Sequence, residues 1–180
     1  MARQSRREAL LKAAAAIVRR DGADALTLDA VAREAGVSKG GLLYHFDSKE
    51  ALVAAMVAAL VEGFDARLSA AEGGAPGAFT RSYLEATAET DDESLALSAG
   101  LLAAVAIAPE SLAPLRARYR SWGRRLRGDG IDEADAMIVR LAADGLWLAD
   151  LLGLEPPGRK LRGEVVARLA SWTRPARGSR

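Results

Sequence analysis

Residues 27–46 read TLDAVAREAGVSKGGLLYHF, and this stretch decides the fold. Thr27 is a good N-cap, because its hydroxyl can accept from a backbone amide two or three residues on. Leu28, Val31, Ala32 and Ala35 then recur at helical spacing. Ala32 is small where a second helix has to cross closely. Gly36 sits at the turn, where a left-handed backbone costs any other residue ~1–2 kcal/mol. A short helix is predicted from about Ser38 to His45 or Phe46, with Leu42 sharing a small core with Val31 and Val37. Its outward set is Ser38, Lys39, Gly40, Leu43 and Tyr44. This is the layout of a helix-turn-helix, whose second helix enters a major groove ~12 Å wide. Two packed core helices would share much of the pattern. The capping threonine, the Tyr-His-Phe run and the Ser48-Lys-Glu start of the next helix favour the DNA-reading form. Gly40-Gly41 costs a helix ~1 kcal/mol per residue. Close approach of the backbone to DNA is one reason to tolerate it, and a helix that orders only on binding is the other.

Working outward, helical period continues in both directions. Leu10, Ala13, Ala14, Ile17 and Val18 form the inner face of a first helix, closed by Asp21-Gly22. Asp47 or Ser48 caps a long helix over 48–70, with Asp47 and Glu50 at capping-box spacing. Its inner stripe is Leu52, Val53, Met56, Val57, Leu60, Val61, Phe64 and Leu68. Breaks fall at Glu72–Gly77 and Thr90–Asp92, with a helix carrying Phe79, Tyr83 and Ala86 between them. Leu95–Ala108 reads as a nearly apolar helix. After Pro109 and Pro114 comes a helix with Leu115, Tyr119, Trp122 and Leu126 on one stripe and six arginines elsewhere. Residues 132–152 form a long helix that is apolar on two sides, and a last helix carries Leu161, Val165, Leu169 and Trp172. The expected class is all-α, with about nine helices. A three-helix head spans 1–47, a helical body spans 48–174 with 48–70 as connector, and 175–180 is a tail.

Composition narrows the function. Half of the 180 residues are apolar, so a core can form and whole-chain disorder is excluded. Net charge is +1, so any nucleic-acid partner has to be met by local positive charge. There is no cysteine, which removes disulfides, thiolate metal sites and cysteine nucleophiles. His45 is the one histidine. It has no metal-ligating partners and is flanked by Tyr44 and Phe46 rather than by an acid and a nucleophile, so phosphate contact or simple packing are its readings. No phosphate loop or nucleophile–base pair is found, so no enzyme and no cofactor are expected. The charged start is not expected to act as a signal peptide, and no apolar run approaches the ~18 residues of a membrane helix. The expected location is the cytoplasm.

Ala13 to Val61 resembles the DNA-binding head of the tetracycline-repressor (TetR) family of bacterial regulators. The residues that carry the resemblance are Ala14-Ala-Ala-Ile-Val18, Gly22, the whole of 27–46 and Ser48-Lys-Glu-Ala-Leu52. It implies a homodimer on a near-palindromic double-stranded operator, released by a small-molecule effector, with repression the expected outcome. Carried over position by position, Thr27 and Ser38 would contact phosphates, Tyr44 and His45 phosphate or base edges, and Lys49 a phosphate at the start of the fourth helix. Lys39 is the best base-edge donor, most naturally to guanine. Gly40 offers only backbone and shape, and Leu43 stands beside it. Arg3, Arg6 and Arg7 form either a basic arm or a solvated terminus.

For the body, the resemblance sets one side of helix 132–152 toward a symmetry mate: Ile138, Leu141, Gly145, Leu148 and Leu152, joined by Val165 and Leu169 of the last helix. Phe79, Tyr83, Leu102, Val105, Trp122, Met137, Asp144 and Trp147 are the candidate lining of a largely apolar effector pocket. Asp144 has three readings: a ligand contact, a pair with an arginine such as Arg140, or a solvent-facing carboxylate. The arginines from 116 to 127 read as a solvated helix face. Two other classes stay open, a helical ligand-binding protein with a vestigial head and, lowest, an enzyme on a helical scaffold.

Overall fold

The computed structural model describes residues 2–68, 74–88 and 92–174, with side chains from residue 5 onward in the first segment and from residue 94 in the third. Among the described residues there are nine α-helices, two short 3-10 turns and no strand. The helices are α1 (Ala2–Asp21), α2 (Leu28–Glu34), α3 (Lys39–Leu43), α4 (Lys49–Leu68), α5 (Ala78–Ala88), α6 (Asp92–Ile107), α7 (Ala113–Arg127), α8 (Glu133–Leu152) and α9 (Arg159–Trp172). Glu72-Gly73 and Thr90-Asp91 of the expected breaks, and the tail at 175–180, lie outside the described residues. No described helix is long and apolar enough to cross a membrane.

Both short helices begin just after a capping hydroxyl, the expected Thr27 for α2 and Ser38, read as the first residue of its helix, for α3. Thr27 Oγ1 accepts from the Ala30 amide at 3.1 Å, and Ser38 Oγ from the Gly41 amide at 3.1 Å. At the start of α4 the cap is Ser48 rather than Asp47, since Ser48 Oγ takes the Ala51 amide at 3.0 Å. Gly36 turns the chain with φ +67°, a value that favours glycine. The N-terminal arginines differ from the arm or loose terminus expected: α1 starts at Ala2, and Arg7 lies over the Phe46 ring at 5.6 Å. The Arg3 side chain lies outside the described residues.

Packing divides the chain into two units. One comprises Met1–Glu62 with Asp91–Ala117, the other Gly63–Thr90 with Arg118–Arg180. In the first, Leu10, Ala14, Ile17, Leu26, Val31, Leu42, Phe46, Leu52 and Met56 form one buried core with Ala99 and Ala103 of α6. α6 comes so close to α4 that a Cβ at Gly100 would lie 2.8 Å from Met56 Cβ. The core of the second unit is built from Phe79, Tyr83, Leu84, Trp122, Leu126, Val139, Ala143 and Leu169.

Long-range polar contacts lock the second unit. The Asp129 carboxylate caps α5 from fifty residues away, accepting from the Phe79 amide at 3.1 Å and from the Thr80 amide and hydroxyl at 2.7 Å each. Arg162 donates to both oxygens of Asp150 at 3.0 and 2.7 Å and to the Ala88 carbonyl at 3.2 Å. A forked arginine on a carboxylate fixes geometry as well as contributing energy, so α9 is pinned to both α8 and the end of α5.

Candidate nucleic-acid interface and effector site

α2, the Gly36 turn and α3 make the helix-turn-helix. Val37 donates to the Ala32 carbonyl at 2.9 Å, and Leu42 and Val31 are fully buried beneath. α3 as a regular helix ends at Leu43, but helical hydrogen bonds continue through Tyr44 (to Gly40) and Phe46 (to Leu42). Arg20 holds the pair against α1 through a fork onto both oxygens of Glu34, 3.2 Å each.

The rigid pair presents one outward face. Thr27, Ser38, Lys39, Gly40, Leu43 and Tyr44 are all exposed, and Tyr44 is 67 % exposed. His45 and Lys49 are half-buried. The Tyr44 ring meets the His45 ring edge-on at 5.3 Å, while Phe46, the next residue, points into the core. Thr27 and Ser38 have their hydroxyls engaged as caps. Lys39 Nζ lies 3.0 Å from Asp29 Oδ1, across the turn on α2. Residue types alone did not disclose that pairing, although the two stand ten positions apart on facing helices. Gly40 has nothing within 4 Å of where a Cβ would sit.

The second unit centres on Asp144. Tyr83 donates its hydroxyl to Asp144 Oδ1 at 2.7 Å, Tyr119 reaches the same oxygen at 3.5 Å, and Arg140 Nε lies 3.7 Å from Oδ2. Asp144 thus lies beside Arg140, as one of its three readings has it, and is joined by two tyrosines that spacing did not reveal. Around it Phe64, Tyr83, Tyr119 and Trp122 stack edge to face, with centroids 4.9 to 6.1 Å apart. Tyr83 is only 1 % exposed. Trp122 Nε1 donates to Asp65 at 2.8 Å, and Arg118 pairs with the same carboxylate at 2.8 Å. Asp65 and Phe64, at the end of α4, were missed as members of this cluster. Phe79 is buried under Arg125, whose guanidinium stands 3.9 Å over the ring. Met137 and Trp147 are half-buried on α8. Leu102 and Val105 belong to the first unit and are exposed, Val105 by 64 %.

Burial raises the Asp144 carboxyl above the ordinary carboxylate range, outweighing the opposing pull of the Tyr83 hydrogen bond and the Arg140 charge. Burial beside that carboxylate pushes the Tyr119 phenol up to about 12 and Tyr83 higher still, so both remain protonated donors. The folded state therefore holds the Asp144 proton more tightly than the unfolded chain. Its contribution to stability is complete below the unfolded value of ~3.9 and is lost as pH rises through the raised folded value. Asp144→Asn keeps an oxygen for the Tyr83 hydroxyl and deletes this titration. In melts from about pH 4.5 to 7.5, the variant should gain on the wild type as pH increases. A difference that stays constant across that range would show that the Asp144 charge is not penalised in the fold.

One stripe of α8 is apolar and uncovered. Ile138, Leu141, Leu148 and Leu152 are exposed at three–four spacing, Leu141 by 56 %, and Gly145 between them is exposed and open. On α9, Leu161 and Trp172 are exposed, Val165 is half-buried, and Leu169 is 5 % exposed, turned into the core of the second unit.

An all-helical chain with a helix-turn-helix head and a second unit built round a buried aromatic and acidic cluster defines a class, that of two-part helical DNA-binding regulators. Residues 10–56 match the family profile described as bacterial regulatory proteins, tetR family, and residues 77–174 match the tetracyclin repressor-like C-terminal domain. The chain belongs to the TetR family of transcription regulators, whose members read DNA through the helix-turn-helix, carry a ligand-binding domain and are generally not enzymes. Solved structures agree on the fold. A regulator from Rhodococcus sp. assigned to the TetR family is 22 % identical with a TM-score of 0.71, over 94 % of this chain and 100 % of that one. A TetR-family member from Streptomyces coelicolor A3 is 25 % identical with a TM-score of 0.64, over 91 % and 97 %. The multidrug binding protein EbrR, solved with malachite green, is 24 % identical with a TM-score of 0.59, over 91 % and 96 %. No curated protein matches the chain.

Proposed function

We propose that this chain is a ligand-responsive repressor that binds a near-palindromic operator as a homodimer in the cytoplasm, without catalysis, and leaves it when a small-molecule effector binds. The observation that carries the reading is the outward face of α2–α3, where Lys39, Gly40, Leu43 and Tyr44 stand exposed over a buried core. In that reading Lys39 offers a base-edge donor, Tyr44 and His45 meet phosphate or base edges, and Thr27, Ser38 and Lys49 position the backbone. Residues 1–47 then serve as the DNA-binding head and 48–174 as the ligand-binding and dimerisation body, with α4 as connector. A largely apolar effector would occupy the second unit at Phe79, Tyr83, Trp122, Met137, Asp144 and Trp147. The EbrR complex with malachite green supports ligand binding by a protein of this fold. Only an effector that distinguishes the two states of the regulator can shift its DNA affinity.

The dimer would form on the uncovered α8 stripe, with Val165 beside it and Leu169 supporting α9 from beneath. A seam of this kind buries apolar area on both copies at once, and its three–four spacing suits helix pairs that cross at a shallow angle. Leu141→Glu places a charge at its centre. The wild-type chain should sediment as a dimer and retard DNA from its own upstream region, while the variant sediments as a monomer and binds at least about tenfold more weakly. A Leu141→Glu protein that stays dimeric would remove α8 from the interface. A wild-type dimer that ignores that DNA at every salt concentration would leave a helical ligand-binding protein instead.

A further inference from the structure

Four arginines converge on one cleft of the second unit. Arg120, Arg124 and Arg127 lie along one face of α7, at the spacing that brings side chains together on a helix. Arg140 joins them from α8, and Tyr119 and Gly123 complete the lining of a cleft of about 430 Å³, within the usual size range of small-molecule sites. Gly123 is buried and forms the floor. The position a Cβ would take there lies 3.6 Å from Arg127 Nη1 and 3.7 Å from Arg140 Nη1, so two like charges hang over one glycine.

The neighbouring carboxylates do not balance this charge. The other α7 arginines nearby are committed: Arg118 to Asp65 and Arg125 to the Phe79 ring. Arg120 and Arg124 form no ion pair among the described residues. Arg127 has Glu133 at 3.8 Å, an exposed and weak pair. Arg140 Nε is buried without a hydrogen-bond partner among the described residues, because Asp144 stays 3.7 Å away with its other oxygen engaged by Tyr83. A helix face meant only for solubility would point its arginines apart into water. It would not draw a fourth guanidinium from α8 or leave a buried donor unmet.

We propose that this cleft binds a small polyanion bearing phosphoryl groups. Guanidinium forks match phosphoryl oxygens two at a time, and four of them against two weakly paired carboxylates call for an occupant with more than one negative charge. The cleft borders the effector site proposed above, sharing Tyr119 and Arg140 with the surroundings of Asp144, but it calls for a ligand of opposite chemistry and is tested by direct binding to the DNA-free protein. Inorganic pyrophosphate is the probe, titrated calorimetrically into the full chain at constant ionic strength set with KCl. Saturable binding at one site per chain is expected. Arg124→Gln and Arg120→Gln, both at exposed positions with no packing to lose, should each weaken it about tenfold, and Arg140→Gln at least as much. Arg116→Gln, exposed on the same helix but outside the cleft, removes the same charge and should leave the affinity within about twofold. Absence of saturable binding, or an equal loss in Arg116→Gln and Arg124→Gln, would overturn the proposal, the second outcome showing a general field rather than a site.

Discussion

Gly77→Ala should cost the fold more than about 4 kcal/mol, a large share of the 5–15 kcal/mol that keeps a domain folded. Gly77 has φ +77°, where a side chain alone costs ~1–2 kcal/mol. The larger penalty is steric. A Cβ there would fall 1.7 Å from the Thr173 carbonyl oxygen and 2.7 Å from its carbon. Both are backbone atoms, and neither can rotate away. Thr173 is held by Arg81, which donates to its hydroxyl at 3.0 Å and to its carbonyl at 3.2 Å, and Gly77 is tied by its amide to the Asp129 carbonyl at 2.7 Å. Relief requires moving the end of α9 or the α5 cap. Urea unfolding should show a strongly lowered midpoint. Gly163→Ala, in α9 with open space around it, is the matched control and should gain up to ~1 kcal/mol. Similar midpoints for the two variants would mean that the 77–173 contact is not made.

Tyr44→Ala should lower operator affinity about a hundredfold and leave the protein otherwise intact. The side chain projects from the helix-turn-helix and is 67 % exposed, so its removal opens no cavity. The proposed dimer would present two copies. A loss of ~1.5 kcal/mol at each half-site sums to ~3 kcal/mol, or about two decades in Kd. Fluorescence anisotropy on operator DNA measures the loss, and circular dichroism and sedimentation should match the wild type. Lys39→Ala should cost less, because Lys39 gives up its pair with Asp29 before it can meet DNA. An unchanged Kd for Tyr44→Ala would remove this face from the DNA interface.

Much of the fold is legible because its signals are local. Thr27 and Gly36 each act on atoms three residues away or nearer, so their types alone predict a cap and a turn, and the structure has both; Ser38, read as the first residue of the second helix, is its cap instead. The choice between Asp47 and Ser48 was not legible, because both can cap and only the path of the preceding turn selects Ser48. The core of the first unit follows from periodicity along α1 and α4. The Asp144 cluster does not. Its members come from positions 64, 83, 119, 122, 140 and 144, and the pattern within each helix says nothing about which polar tips meet. The same holds for Asp129, a residue of a Gly-Asp-Gly turn whose real task is to cap a helix fifty positions earlier. The six arginines of α7 were read as one solvated face; Arg116 is exposed in that way, and the structure divides the other five among a carboxylate, an aromatic ring and a cleft.

The empty space over Gly40 bears on how such a regulator diversifies. The position faces outward, its backbone is compatible with any residue, and nothing stands within 4 Å of a new Cβ. Most routes to altered sequence preference disturb a packed or paired side chain and lower stability on the way. Here a lineage could install a reading side chain in one mutational step and gain up to ~1 kcal/mol of helix propensity with it. Gene duplication followed by substitution at this single vacancy would let two copies part company in target choice while their cores stayed the same.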